Sequence, residues 1–264
     1  MMNVLSEILR LKRPRIEEAK RQFKIRNSKF KIDERRPPHQ LREALQNQNR
    51  LNVIAEIKRA SPSKGVINDK IDVAEAARDY ESGGACAISV LTEEDKFQGS
   101  LEDLKTARRN VSLPILRKDF IFDEFQIYEA ADAGADVILL IAAMLDDENL
   151  LRLRRLAEDE LKLDALVEVH TLEELERAKK IGAALIGINN RDLHSFKVSL
   201  DVSRELIKHA PADAFMIAES GLQTREDLLE LNKLGFHGFL IGETLMRSEN
   251  IVEELRKLSR DEHR

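Results

Sequence analysis

Eight times between residues 52 and 243, a short and nearly unbroken apolar run gives way to a loop and then to a stretch with helical hydrophobic spacing. The runs are NVIAEIK (52–58), CAISVLT (86–92), PILRKDF (114–120), DVILLIA (136–142), ALVEVH (165–170), LIGINN (185–190), FMIAES (215–220) and GFLIGE (238–243). Strands so continuously apolar are those of a parallel sheet covered by helices, and each interval spans one strand-helix-strand unit. The helical patterns cover Val73 to Ser82, Leu101 to Arg109, Asp123 to Ala133, Asp146 to Glu160, Leu172 to Ile181, Leu200 to His209, Arg225 to Leu234 and Glu249 to Leu258. Eight units in roughly 210 residues predict an α/β chain closed into a (β/α)8 barrel, with an open eight-stranded sheet as the alternative. Gly83-Gly84, Gly134, Gly182 and Gly235 each separate a helical stretch from the next strand, so they read as helix-ending residues.

The barrel is expected from residue 47 to 264, preceded by a 1–46 extension of different character. Residues 1–50 hold 14 Lys+Arg against 6 Asp+Glu, whereas the remainder holds 29 against 42. Leu5, Ile8, Leu9, Ile16, Ala19, Phe23 and Phe30 recur among those charges at near-helical spacing, so the extension reads as an amphipathic helix packed on the body. Arg36-Pro37-Pro38-His39 should break it. The segment has no nucleic-acid motif and few aromatics, and its charge suits attraction of a small anion better than nucleic acid. A single cysteine, Cys86, excludes a disulfide framework within the chain and is read as packing. There is no apolar run of membrane-helix length and no signal-peptide core, so a cytoplasmic location is expected, with no membrane partner. The chain is expected to be a monomer or a weak homo-oligomer.

In a (β/α)8 barrel the functional site lies at the carboxyl ends of the strands. The first strand ends in Glu56 and Lys58, on one face by strand alternation, and runs on to Ser61. The third ends in Arg117, Lys118, Asp119 and Phe120, the fifth in Glu168 and His170, and the sixth in Asn189, Asn190 and Arg191. The seventh ends in Glu219, Ser220 and Gly221, and the eighth in Gly242 and Glu243, whereas the second and fourth end mainly in apolar residues. Lysines, carboxylates, an asparagine and an arginine gathered at one mouth suit acid-base work on an anionic substrate. A lysine desolvated near another cation becomes a better proton donor, and a nearby carboxylate pulls the other way. Some members have plainer readings. Arg117 and Asp119 read as an ion pair below the site, His170 as a cap or loop residue, and Asn190 equally as a turn residue or a ligand.

The loops after the seventh and eighth strands of such barrels often cradle phosphate, and Gly221 and Gly242 would let the backbone approach it. Glu243 stands outside that set, because its carboxylate would repel a dianion unless it turned away. The chain carries no Walker-type loop and no metal-ligand spacing, so neither metal nor cofactor is expected. Two other functions fit the inventory: a Schiff-base aldolase using Lys118 or Lys58, and a phosphate-binding protein without turnover.

The segments EIKRASPSKG, LRKDFIFDEFQIYEA, ALVEVHT, GINNRDL, AESGL and FLIGETLMRS, in that order, resemble those of the indole-3-glycerol phosphate synthase family, and the resemblance covers essentially the whole chain. It implies a cofactor-free lyase of tryptophan biosynthesis acting on 1-(2-carboxyphenylamino)-1-deoxyribulose 5-phosphate, a small phosphorylated partner. Lys118 is then similar to the principal acid of ring closure, Lys58 to a lysine that binds the substrate carboxylate, and Glu168 to the base of dehydration. Glu56 would orient Lys58, Asn189 would position the substrate, and Arg191 would bind an anionic group. Glu219 belongs with the substrate-binding residues. Phe97 and Phe120 resemble the wall for the aromatic ring, and Ser61, Ser220, Gly221 and Gly242 fall where the family grips phosphate.

Overall fold

The computed structural model describes residues 4–25, 30, 37–47, 49–193 and 195–259. All eight apolar runs are strands: β1 (Val53–Ile57), β2 (Ala87–Leu91), β3 (Ile115–Lys118), β4 (Val137–Ile141), β5 (Asp164–Val169), β6 (Leu185–Asn189), β7 (Phe215–Glu219) and β8 (Gly238–Ile241). Each pairs in parallel with its sequence neighbours, and β1 closes on β8 through Val53↔Phe239, Ile54↔Leu240 and Ala55↔Ile241. The sheet is therefore a closed barrel rather than an open one.

Alternation divides every strand between two cores. Ile54, Leu116, Val137, Leu139, Leu166, Leu185, Ile217 and Leu240 fill the barrel interior. Their neighbours, such as Val53, Ile115, Ile138, Val167 and Ile186, pack outward beneath the helices. Two residues further along the inward face come Glu56, Lys118, Glu168, Gly187 and Glu219, so the interior changes from apolar to polar toward the strand ends.

The covering helices are α3 (Val73–Gly83), α4 (Leu101–Asn110), α5 (Glu124–Ala133), α6 (Asp147–Arg155), α7 (Leu172–Lys180), α8 (Asp201–Leu206), α9 (Arg225–Leu234) and α11 (Ile251–Ser259), with a one-turn α10 (Glu243–Met246) after β8. Asp123 and Asp146 fit the helical pattern but stand just outside, where their side chains accept from Phe125 N and Asn149 N as amino-terminal caps. Gly134 and Gly235 end α5 and α9 at φ of 88° and 111°, the left-handed cap conformation expected of them. No helix among the described residues is long and apolar enough to cross a membrane.

The extension supplies α1 (Val4–Ile25) and α2 (Gln40–Leu45). Arg36 lies outside the described residues; Pro37 to His39 are non-helical, as the prolines require. In α2, Leu41 and Leu45 enter the interior cluster at the amino ends of the strands. Asp164, the first residue of β5, accepts from Leu41 N at 3.0 Å, Arg42 N at 3.2 Å and Arg42 Nε at 2.5 Å, and so binds that helix to the barrel.

Helix α1 buries a stripe of Ile8, Lys12 and Ile16, with a lysine where the hydrophobic pattern left a gap. Lys12 Nζ lies 2.7 Å from Asp119 Oδ1. Asp119 also accepts from Thr92 Oγ1 at 2.7 Å and Arg117 Nη2 at 3.1 Å. Burial would raise the Asp119 carboxyl, but Lys12 and Arg117 outweigh it and hold it down at about 2. Further out, Arg15 pairs with Asp95 at 2.6 Å and Lys20 with Asp123 at 2.8 Å, so these basic side chains of the arm meet acidic groups of the barrel loops. Replacing Asp119 by alanine removes the carboxylate paired with the buried Lys12 ammonium and leaves Arg117 with Glu129. The expected cost is about 3–5 kcal/mol, measured as a lower urea midpoint at neutral pH.

Candidate active site

Strand β1 delivers the first pair. Tyr80 of α3 donates to the Glu56 backbone oxygen at 2.9 Å and fixes the strand end. Glu56 and Lys58 share the inward face, with Lys58 Nζ 2.5 Å from Glu56 Oε1. Gly242, beyond β8, makes this possible: a Cβ there would lie 2.6 Å from Glu56 Oε1 and 3.1 Å from its Cβ.

Across the mouth, Lys118 Nζ donates to Glu168 Oε2 at 2.9 Å and lies 3.5 Å from Glu219 Oε2. Burial disfavours the Lys118 ammonium, yet Glu168, Glu219 and Glu56 more than offset this and raise its pKa above the usual lysine range. Burial likewise works against the Glu168 carboxylate, but Lys118 and His170 hold its pKa well below normal. Glu219 goes the other way. Its burial, reinforced by the negative charges of Glu168 and Glu56, exceeds the pull of Lys118 and pushes its carboxyl up to about 8. The site therefore favours a charged lysine and a charged Glu168, and it favours the protonated form of Glu219 more than water does.

His170 is neither an exposed loop residue nor a cap. Its side chain is 8% exposed, with Nδ1 3.2 Å from Glu174 Oε2 and Nε2 3.4 Å from Glu168 Oε1. Burial would lower its pKa, but those two carboxylates raise it to about 10.

The apolar side of the mouth contains Phe97 and Phe120, with ring centroids 6.1 Å apart. Val4, Leu5 and Ile8 of α1 line the same cavity. Phe97 is placed by Glu93, a residue that sequence reading missed. The fully buried Glu93 carboxylate accepts from Asp95 N, Lys96 N and Phe97 N at 3.0, 2.7 and 3.1 Å. The signal was a carboxylate four residues before an aromatic, hidden in what looks like a solvated run of charges.

Ser61, Asn189, Arg191, Ser220, Gly221 and Gly242 line the same cavity as the rings, together with Glu56, Lys58, Lys118, Glu168 and Glu219. Ser220 and Gly221 have φ of 64° and 82°, and a Cβ on Gly221 would stand 2.5 Å from Val198 Cγ1. Arg191 Nη1 donates to Ser63 Oγ at 3.1 Å, tying the loop after β6 to the loop after β1. Asn189 Oδ1 accepts from Arg191 N at 3.0 Å. Asn190 is a buried brace: its Nδ2 donates to the Glu219 and Ser220 oxygens at 3.1 Å, and its Oδ1 accepts from Ser203 N at 3.0 Å. Glu243 lines the same cavity, its carboxylate lying 3.6 Å from Lys64 Nζ and 3.3 Å from Arg247 Nε. Arg117, opposite Lys118 in strand alternation, points outward to Gln126 O and Glu129; it also makes the expected ion pair with Asp119, at 3.1 Å, although Asp119 lines the cavity rather than lying apart from it. Among the described residues no three His, Cys, Asp or Glu side chains are grouped to hold a metal ion.

Fold and site together define a (β/α)8-barrel protein whose mouth gathers lysines, carboxylates, aromatic rings and glycine-serine loops around one cavity. Solved structures agree on the fold. The chain superposes on 3-hexulose-6-phosphate synthase from Salmonella typhimurium with a TM-score of 0.63 at 15% identity, over 79% of this chain and 96% of that one. It superposes on N-acetylmannosamine-6-phosphate 2-epimerase from Clostridium perfringens with a TM-score of 0.61 at 18% identity, over 84% and 97%.

Sequence comparison is more specific. The indole-3-glycerol phosphate synthase family model matches residues 5–258. The Carboxydothermus hydrogenoformans protein of that name is 47% identical, over 92% of this chain and 95% of its own length. The one from Legionella pneumophila strain Paris is 45% identical over 99% and 100%. The chain belongs to the indole-3-glycerol phosphate synthase family.

The His170 contacts have a pH signature. Because its pKa is raised on folding, His170 contributes stability fully below its unfolded value of about 6.5, and this fades as pH rises through about 10. His170→Ala is expected to lower the urea midpoint most below pH 6.5 and progressively less toward pH 10, as read from paired titrations of variant and parent.

Proposed function

We propose that this protein converts 1-(2-carboxyphenylamino)-1-deoxyribulose 5-phosphate to indole-3-glycerol phosphate, carbon dioxide and water by lysine and glutamate acid-base catalysis, without a cofactor. The observation that carries this reading is the buried Lys118 ammonium, 2.9 Å from Glu168 and 3.5 Å from Glu219, in one cavity with a phenylalanine pair and the glycine-serine loops. The aromatic ring would lie against Phe97 and Phe120. The phosphate would lie at Ser61, Ser220, Gly221 and Gly242, and Arg191 and Lys58 would take the anionic groups.

The chemistry follows from the charges. The ring carbon bearing the carboxylate attacks the ketone carbon, the carbonyl electrons move to oxygen, and Lys118 supplies the proton that makes it a hydroxyl. The carboxylate then leaves as carbon dioxide, and its bonding electrons restore the aromatic ring. Nitrogen electrons next expel the hydroxyl, which takes a proton from a lysine ammonium and departs as water, while Glu168 accepts the anilinic proton. Loss of a proton from the methylene carbon bonded to nitrogen and return of one to nitrogen complete the indole. Asn189 and Glu219 would position the reacting hydroxyls, and Glu56 would hold Lys58. A Schiff-base mechanism is less well supported, since it needs a neutral amine and Lys118 is surrounded by carboxylates that favour its ammonium.

Purified protein is expected to generate indole fluorescence from the carboxyphenylamino substrate, and no turnover would falsify the reading. Lys118→Ala is expected to reduce kcat by roughly 10² to 10⁴ with a smaller change in KM. An unchanged kcat would remove Lys118 from the chemistry.

A further inference from the structure

Gly187, in the middle of β6, has a backbone that any residue could adopt, since it is not among the positive-φ glycines. Its neighbours on the inward face, Leu185 and Asn189, both carry side chains. What distinguishes the position is what lies over it. A Cβ on Gly187 would stand 2.0 Å from Glu219 Oε1 and 3.1 Å from its Cδ, whereas the next atom, Leu166 Cδ1, is at 3.3 Å. The main obstacle to a side chain at 187 is therefore the carboxyl group of Glu219.

Register explains the encounter. Gly187 is paired with Glu168 on β5 and with Ile217 on β7, and Glu219 pairs with Asn189 one inward step nearer the mouth. The Glu219 side chain leans back over β6, into the space that a residue at 187 would fill, and this brings Oε2 to 3.5 Å from Lys118 Nζ. Its Oε1 is buried without a hydrogen-bond partner. An acid packed so costs free energy, and the packing persists because the backbone leaves room for it.

We propose that Gly187 is the positioning residue for Glu219, its missing side chain forming the slot that holds this carboxyl group beside Lys118 and Glu168. The effect on turnover rests on the proposed lyase reading, but the slot itself does not. Any methyl at 187 turns Glu219 out toward the mouth, separates it from Lys118, and wets a carboxyl that the resting protein keeps dry.

Four proteins test this: the parent, Gly187→Ala, Glu219→Ala and the double variant. Infrared spectra of the free proteins, recorded across pH, assign the buried carboxylic-acid band of Glu219 by its loss in Glu219→Ala. Gly187→Ala is expected to shift that band and lower its apparent pKa toward that of a solvated glutamate. Indole assays should show kcat reduced roughly 10²-fold, the scale of an ångström-sized misplacement, with KM changed much less. In the Glu219→Ala background the same methyl should cost nothing further. An unaltered band and titration in Gly187→Ala, or an equal loss of kcat with and without Glu219, would overturn the proposal. If Gly187→Ala does not fold, the double variant decides: folding attributes the collision to Glu219, and failure places it elsewhere and refutes the slot. Should the parent make no indole, the lyase reading fails while the spectra still judge Gly187.

Discussion

Charge can be carried into the interior of a barrel only if each group finds a counter-charge there, because desolvation costs several kcal/mol per ion. The mouth of this protein is built around that requirement. Lys58 has Glu56, Lys118 has Glu168 and Glu219, and His170 has Glu168 and Glu174. Glu168 has His170 as well as Lys118, whereas Glu219 shares Lys118 with Glu168, and of these two carboxyls it is Glu219 whose pKa rises. The pairing that lets the chain fold thus also sets which groups favour their protonated form and which do not. A lysine held as ammonium by carboxylates has a proton to give, and an anionic ligand entering beside it would compete for the same positive charge.

Strand alternation lets one segment meet two such requirements. Lys118 faces the barrel interior, while Arg117 faces α5 and joins Thr92 and Asp119 in a buried network. Lys12 completes that network from α1, whose Val4, Leu5 and Ile8 line the cavity. The basic arm is consequently more than a charge on an acidic body. One of its lysines is buried in the barrel wall, and the contact places an apolar helix end over the mouth.

What could be read from the chain divides along the range of the interactions involved. The eight strands were legible because a buried parallel strand is apolar along its length, and the helix-ending glycines because positive φ leaves few alternatives. Helix starts were blurred by a residue at Asp123 and Asp146, since a capping carboxylate continues the polar face of the helix it caps. Glu56 and Lys58 followed from alternation, and Lys118, Glu168 and Glu219 from their places at strand ends once a barrel was assumed, without a way to separate Lys118 from Arg117 and Asp119 beside it. Lys12, Glu93 and His170 were not read for what they do. Each looks like a solvated charge or a loop residue in sequence, and the function of Lys12 in particular depends on Asp119, far away along the chain. Periodicity records which face a residue occupies, not which distant charge it meets there.

The glycines of the mouth sharpen this distinction. Gly242 was expected from sequence to let the backbone approach a phosphate. The structure adds a steric reason on its other side, where the absent Cβ leaves space for Glu56. The two are compatible, because the peptide group can face a ligand while the position of the missing side chain faces a carboxylate. Gly221 differs from both Gly242 and Gly187 in needing a positive φ as well as clearance from Val198. A glycine at the end of a barrel strand can thus serve a turn, a ligand or a neighbouring acid. Only the direction of its absent side chain tells these apart, and at β6 and β8 that direction leads to the carboxylates around Lys118 and Lys58.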